Sequence, residues 1–169
     1  MKNLIKILFV FTLLLLSASA FSQQEKFKAI YIYNFTKYLE WSPSYKEGNF
    51  VIGIIGNSEI SNHLEIVAQK MKVGNQPIVV KRYNSIEDID KCHLLFISFD
   101  KSSELKSILE KMENKNTLVV TDKNGMGKQG SGINFYNDDG ELKFEISKQN
   151  IEKAGLKISP ALLILGKTI

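Results

Sequence analysis

The stretch Phe50-Val51-Ile52-Gly53-Ile54-Ile55-Gly56-Asn57-Ser58 decides how this chain is expected to fold. Its first six residues form a short apolar, β-branched run that ends at a glycine. Such a run is typical of a central strand that is buried on both faces. Ser58 can cap a helix, which we predict over Ser58–Met71. A buried strand that turns directly into a helix indicates a parallel α/β sheet.

Further strands and helices alternate on both sides of this segment. The predicted strands are Pro77–Tyr83, His93–Ser98 and Thr117–Asp122, and the predicted helices are Gln24–Trp41, Ser85–Lys91 and Ser102–Asn114. Alternation of this kind favours a three-layer α/β fold, with a mostly parallel sheet and helices on both faces.

The first helix carries an aromatic stripe at helical spacing. The predicted stripe consists of Phe27, Ile30, Tyr31, Asn34, Phe35 and Tyr38. The simplest interpretation is that this face packs on the sheet. The alternative is that some of its rings line a pocket or contact a partner. Pro43 prevents the helix from continuing.

The last third of the chain indicates an antiparallel hairpin. Ser131–Tyr136 and Glu141–Ser147 flank a four-residue turn, and we expect Tyr136 opposite Glu141 and Ile133 opposite Phe144. A helix over Lys148–Ala154 should end at Gly155. Ser159-Pro160 should begin another helix, because a serine cap followed by proline is a typical helix start.

Residues 1–20 are typical of a secretory signal peptide, and residues 21–169 are then one domain. Lys2 and Lys6 precede an apolar run over Leu4–Leu16, and Ala18-Ser19-Ala20 is a small-residue cleavage site. No cysteine follows the apolar run, so we do not expect a lipoprotein. The mature chain is therefore expected to be a soluble exported protein with no inserted segment.

Composition excludes several classes of function. The chain has 169 residues, of which 24% are charged and 44% hydrophobic, so it suits a globular domain. Loss of Lys2 and Lys6 with the leader lowers the net charge from +4 to +2. There is no run of five like charges, so nothing supports nucleic-acid binding. One cysteine, Cys92, cannot form an internal disulfide, and we expect it to be buried.

The residues that could carry chemistry do not form a recognisable catalytic set. His63, His93 and Cys92 are the only nitrogen or sulfur ligands, too few for a structural zinc site. Cys92 and His93 are adjacent, and adjacent strand residues point to opposite faces, so they cannot easily form a nucleophile–base pair. We therefore predict no enzyme, no bound metal and no cofactor.

A ligand site remains open at the strand ends. Ligands of α/β sheets bind at the carboxyl ends of the strands, and a helix N-terminus there can hold an anion. The candidates for this pocket are Gly56, Asn57, Asp122 and Asn134. The alternative is that Gly56-Asn57-Ser58 forms an ordinary strand–helix turn.

Four segments, in order, resemble the YfiR-like family of exported bacterial proteins. They are Lys28–Trp41, Cys92–Ser98, Gly132–Phe135 with Lys143–Ile146, and Ala154–Ser159 with Leu162-Leu163. The resemblance covers essentially the whole mature chain. It implies a periplasmic regulator that restrains a membrane-bound signalling protein, a diguanylate cyclase or a sensor kinase, through the exported domain of that protein. Family members often carry cysteine pairs, which a lone Cys92 cannot supply.

The partner surface is expected to use exposed aromatic and basic side chains. The candidates are Tyr33, Lys37, Trp41 and Tyr45, with ordinary packing as the alternative for each. A soluble small-ligand receptor is the second hypothesis for function, and the sequence leaves a homodimer open.

Overall fold

The computed structural model describes residues 23–169, so the predicted leader and its cleavage site lie outside the described residues. The helices are α1 (23–35), α2 (Ile60–Lys70), α3 (Leu105–Lys111), α4 (Lys148–Lys153) and α5 (Pro160–Leu163). The strands are β1 (Leu39–Glu40), β2 (Phe50–Ile55), β3 (Lys72–Val73), β4 (Gln76–Tyr83), β5 (Leu94–Ile97), β6 (Leu118–Thr121), β7 (Ile133–Asp138), β8 (Glu141–Ile146), β9 (Lys157–Ile158) and β10 (Lys167–Thr168).

Eight strands form one sheet in the order β10-β8-β7-β6-β5-β2-β4-β3. The five strands from β7 to β4 are parallel to one another. Strand β8 runs antiparallel to β7 and β3 runs antiparallel to β4, whereas β10 runs parallel to β8. Strands β1 and β9 form a separate antiparallel pair. The predicted α/β class, with a mostly parallel sheet and a C-terminal hairpin, is confirmed.

Strand β2 has the predicted bounds and lies inside the sheet. The chain leaves β2 through α2 to β4 on one side, and then returns to β5 on the other side. The carboxyl ends of β2 and β5 therefore flank the topological switch point, where α/β sheets open a crevice. This edge of the sheet includes Gly56, Asn57 and Asp122.

Helices cover both faces of the sheet. Ile32 and Phe35 of α1 and Leu64 of α2 belong to one buried cluster, and Leu105 and Ile108 of α3 belong to the cluster on the opposite face. Because both faces are covered, the central strands are apolar throughout rather than alternating.

Helix α1 differs from the prediction in its end and in its buried face. It ends at residue 35, where the backbone N–H groups of residues 36–38 bond to carbonyls three residues back, and the chain then enters β1. Thr36 Oγ1 also donates to Tyr33 O at 2.7 Å. Ala29, Ile32 and Phe35 are buried. Of the six residues in the predicted stripe, Phe35 is buried, Asn34 and Tyr38 are half-buried, and Phe27, Ile30 and Tyr31 are exposed. The two stripes both fit helical spacing, so periodicity alone could not distinguish them.

The hairpin register is two residues away from the predicted one. Ile133 pairs with Ile146 and Phe135 with Phe144, so the faces of both strands are kept. The turn has two residues, Asp139 and Gly140, at φ angles of 51° and 86°. Two positive φ angles define the tight turn that matches strand twist, and this turn sets the register.

The predicted ends of the short helices are confirmed for α4 and α5 but not in the middle of the chain. Gly155 adopts φ 78° and ends α4, and Ser159 Oγ accepts the Ala161 N–H at the start of α5, as predicted. Residues 85–91 form turns rather than the predicted helix. The predicted helix Ser102–Asn114 is a 3₁₀ segment over Phe99–Glu104 that continues into α3.

Candidate binding surfaces

The switch point is closed by a carboxylate of the chain itself. Both oxygens of Asp100 accept the Asn57 N–H at 3.2 Å, and Ser98 Oγ also contacts this carboxylate. Burial opposes ionisation, but the hydrogen bonds from Ser98 and Asn57 hold the pKa of Asp100 below its usual value. Asp100 therefore occupies the position that a ligand anion could take beside Asn57.

Gly56 allows this closure. Its φ of +96° is a conformation that glycine adopts at little cost, and a Cβ there would lie 2.0 Å from Ser98 Oγ. The candidate residues Gly56 and Asn57 are thus at the switch point, and their backbone is used in contacts between two loops.

Asp122 lies beside this closure, in a cluster of charged side chains. Lys28 Nζ donates to Asp122 Oδ2 at 3.1 Å and to Glu25 Oε1 at 2.6 Å. Ser58 Oγ donates to Glu25 Oε2 at 2.8 Å and accepts the Ile60 N–H at 3.2 Å. The cluster therefore joins α1 to the carboxyl end of β6 and to the start of α2.

One carboxylate oxygen of Asp122 is an unsatisfied hydrogen-bond acceptor among the described residues. The side chain of Asp122 is 8% exposed, and its Oδ1 has no hydrogen-bond partner among residues 23–169. Burial raises the pKa of Asp122 in spite of the neighbouring Lys28. Burial would lower the pKa of Lys28, but Asp122 and Glu25 keep it above its ordinary value.

Asn134 lies in a buried polar network and not at the switch point. Its Oδ1 accepts from Thr121 Oγ1 at 2.7 Å, and its Nδ2 donates to Glu145 Oε1 at 3.0 Å. Thr121 Oγ1 also lies 3.0 Å from Ser131 Oγ. The network ties the glycine-rich loop before β7 to the hairpin.

Trp41 and Tyr45 line a cleft of about 380 Å³ at the amino ends of β2 and β5. Both side chains are buried. Trp41 Nε1 donates to His93 O at 3.0 Å, and Tyr45 Oη donates to Lys115 O. These rings would reach a partner only through the mouth of the cleft.

His93 forms the floor of this cleft. Its Nδ1 accepts the Val51 N–H at 3.0 Å, so the proton is on Nε2, which lies 2.7 Å from Tyr45 O. Burial lowers the pKa of His93 below its ordinary value of 6.5. A neutral histidine with both nitrogens committed to the backbone is a structural residue here.

The other two partner candidates lie at the end of α1. Tyr33 is half-buried, and its Oη donates to Lys72 O at 3.4 Å. The exposed Lys37 places Nζ 4.6 Å from the centre of the Tyr33 ring. The structure therefore brings Tyr33 and Lys37 together, and it places Trp41 and Tyr45 in the separate cleft.

A second cleft, of about 340 Å³, lies between α3 and α4. Leu109, Leu118 and Ile151 line it, with Lys106 and Lys153 at its rim. Nothing in the local sequence pattern pointed to this cleft, because it depends on how two distant helices pack against β6.

Apolar side chains are exposed on the outer side of α1 and near the end of the chain. The exposed fractions are 44% for Phe27, 40% for Ile30 and 36% for Tyr31, and they reach 83% for Ile164 and 54% for Leu165. The simplest interpretation of the sequence, that the aromatic face of α1 packs on the sheet, holds for Phe35 but not for the exposed Phe27.

Cys92 is fully buried, and burial raises the pKa of its thiol to about 12. Its Sγ lies near Gly53 on one face of the sheet. His93 packs against Phe50 on the opposite face.

Residues 23–169 contain no group of three histidine, cysteine or acidic side chains placed to hold a metal ion. Within the same residues, no helix is long and apolar enough to cross a membrane.

Comparison with known proteins gives the family. Residues 25–167 match the YfiR/HmsC-like family. Because this match covers most of the chain, the protein belongs to the YfiR/HmsC-like family, as its segments indicated. A search of curated protein sequences found no match.

One similar solved structure is the ABC domain from Streptococcus pneumonia, in complex with L-Trp. The TM-score is 0.53 and the sequences are 12% identical. The alignment covers 76% of this chain and 57% of the other, so this chain spans little more than half of that protein's length. At this identity the similarity concerns the fold alone.

Proposed function

We propose that this protein is a periplasmic, non-enzymatic regulator that binds and restrains a membrane-bound signalling protein through its exported domain. Membership of the YfiR/HmsC-like family over residues 25–167 is the observation that carries the proposal. The signalling protein would be a diguanylate cyclase, which makes a cyclic dinucleotide in the cytoplasm, or a sensor kinase.

The geometry is compatible with a binding role. Both ring nitrogens of His93 are committed to hydrogen bonds with backbone groups, so this histidine is not free for acid–base chemistry. Large apolar side chains are exposed on α1 and near the end of the chain. Exposed apolar patches of this kind commonly mark sites of protein–protein contact.

Deletion and complementation test the proposal. Cells that lack the protein should show a raised cyclic dinucleotide level or a raised kinase output, and a plasmid copy with its leader should restore the lower value. A copy without residues 1–20 should fail to restore it, because it would not be exported. Unchanged output of both kinds in the deletion strain would contradict the proposal.

A small-ligand receptor is the second candidate, and the unpartnered Asp122 Oδ1 favours it. A buried acceptor without a donor costs about 1–3 kcal/mol, which a ligand donor could recover. L-Trp, the ligand in the similar structure, is the first probe to use. At 100 times its dissociation constant it should stabilise the protein by about 2.7 kcal/mol. Asp122→Asn should abolish the thermal shift, whereas the exposed Asp138→Asn should keep it.

A further inference from the structure

The carboxyl ends of three neighbouring strands place Gly56, Ser98 and Asp122 in one row. The last residues of β2, β5 and β6 pair in register, and these three residues follow them directly. At the Gly56 end of the row, the Asp100 carboxylate accepts the Asn57 N–H and holds two loops together. The Asp122 end is different, because an acceptor there has no donor among the described residues.

That acceptor is Asp122 Oδ1. The other oxygen, Oδ2, accepts from Lys28 Nζ at 3.1 Å, but Oδ1 has no hydrogen-bond partner among residues 23–169. The Asp122 side chain is 8% exposed, so solvent does not freely supply a donor to it. Buried polar groups in native proteins nearly always have a partner, and an exception commonly marks a functional role or a bound molecule. Asp122 Oδ1 can therefore accept an N–H or O–H group from a bound molecule.

The charges that act on Asp122 favour a positively charged donor. Burial raises the pKa of Asp122, whereas the neighbouring Lys28 lowers it, and the negative charges of two other carboxylates, Glu25 and Asp100, raise it further. The Lys28 ammonium is shared, because it donates to Glu25 Oε1 at 2.6 Å as well as to Asp122. Among these described groups three carboxylates face one ammonium, so their uncompensated negative charge attracts a second cation.

An exposed aromatic ring lies at the same edge of the sheet. Phe99 follows Ser98 directly and is 64% exposed. Lys123, the residue after Asp122, places its Nζ 5.2 Å from the centre of the Phe99 ring, so this ring already faces a cation. The edge therefore presents the two kinds of group that bind an organic cation, a carboxylate and an aromatic face.

We infer that the Asp122 end of this row binds a small aliphatic ammonium ion, whose N–H group donates to Asp122 Oδ1. This inference rests on the small-ligand hypothesis for function, and it adds the chemical class of the ligand. Because Oδ1 is buried, the ligand reaches it only when the side chains at this edge move apart. The ligand stabilises that open arrangement only as far as it binds it more tightly than the closed one.

Matched probes test the chemical class of the ligand. Putrescine carries an ammonium group at each end, butanediol has the same carbon chain without charge, and tetramethylammonium has the charge without an N–H donor. Each probe is added to the purified protein at constant ionic strength, and binding is measured by calorimetry and by the melting temperature. We expect saturable binding and a raised melting temperature with putrescine, and neither effect with the two analogues.

Substitutions locate the site. Asp122→Asn keeps the size of the side chain but removes its charge, and it should weaken putrescine binding by about tenfold or more, the range for a hydrogen bond to a charged group. Asp138→Asn, at an exposed carboxylate, should leave the affinity unchanged. Circular dichroism shows whether each variant folds. If Asp122→Asn does not fold, Phe99→Ala takes its place, because Phe99 is exposed, and it should weaken binding by about twofold to fivefold.

Three results would overturn the inference. They are no saturable binding of putrescine, equal binding of putrescine and either analogue, and an unchanged affinity in the Asp122→Asn variant, or in Phe99→Ala where the former does not fold. If L-Trp still raises the melting temperature in any of these cases, the small-ligand receptor stands and only this ligand class fails. The regulator hypothesis is separate from all of these results, because deletion of the protein tests it.

Discussion

The Lys28 ammonium lies 3.1 Å from Asp122 Oδ2, and this ion pair fastens α1 to the carboxyl end of β6. The two side chains are 94 residues apart in sequence and are nearly buried, at 11% and 8% exposure. Helix α1 places Ile32 and Phe35 on the sheet and leaves Phe27 and Ile30 in solvent. The ion pair therefore adds a buried polar link to the apolar contacts that hold α1 on the sheet.

Removal of the lysine should destabilise the protein strongly. Lys28→Met leaves Asp122 and Glu25 without their cation, and loss of one partner of a buried pair costs about 3 kcal/mol. Lys143→Met removes an exposed pair with Asp138 and should cost less than about 1 kcal/mol. Urea unfolding of both variants measures the difference. Equal losses would show that the Lys28 cluster is no stronger than a surface pair.

Gly56 should tolerate substitution far less well than another glycine with positive φ. Gly56→Ala and Gly74→Ala both place a side chain at positive φ, at +96° and +57°. Only Gly56 is crowded, because its Cβ would lie 2.0 Å from Ser98 Oγ, whereas Gly74 has nothing within 4 Å. We expect Gly56→Ala to cost about 1–3 kcal/mol more in the free energy of unfolding. Similar costs would mean that the loops at the switch point can separate freely.

Stability should fall as the pH falls below about 6.5, because of His93. Its folded pKa lies below its ordinary value of 6.5, so the unfolded chain binds a proton first. Stability from this group is present above pH 6.5 and is lost toward the folded pKa, at up to about 1.4 kcal/mol per pH unit. His93→Asn should flatten this part of the pH profile of unfolding, whereas His63→Gln should keep it. If the stability of the unsubstituted protein did not change with pH in this range, the assignment of a neutral His93 would be contradicted.

Cys92 should react slowly with thiol reagents in the native protein. It is fully buried, and burial raises the pKa of its thiol to about 12, so little thiolate exists at pH 8. Modification with a chromogenic disulfide should therefore be at least about 100-fold slower than in urea-unfolded chain, since it requires opening. A native rate within tenfold of the unfolded rate would show an accessible thiol and restore pairing between chains as a hypothesis.

The sequence predicted elements that are fixed by local signals. The bounds of β2 were predicted because an apolar run ends at Gly56, and Gly155 and Ser159 were correctly placed at helix ends. The hairpin register was wrong because Asp139 adopts a positive φ, which few residues other than glycine do. The prediction therefore assigned too many residues to the turn.

The positions of the candidate site residues depended more on contacts between residues that are far apart in sequence. Asp122 was predicted to lie at the switch-point edge because it follows a buried strand, and it does lie there. Asp100 comes three residues after the end of the buried strand β5, so the same signal could have predicted its position. The exposed face of α1 could not be found locally, because the contacts of the buried Lys28 include Asp122, which is 94 residues away in sequence. Whether any of these residues binds a ligand or a partner stays a prediction.

Affinity purification of the tagged protein from cross-linked, detergent-solubilised cells of its own host tests the central claim most directly. The account predicts enrichment of one membrane protein that has an exported domain and a cytoplasmic cyclase or kinase domain. The enrichment should disappear when Ile30→Asp and Leu165→Asp are combined, and it should persist with the matched control Ile66→Asp on α2. Recovery of the chain alone, under conditions in which a known envelope complex survives, would contradict the account.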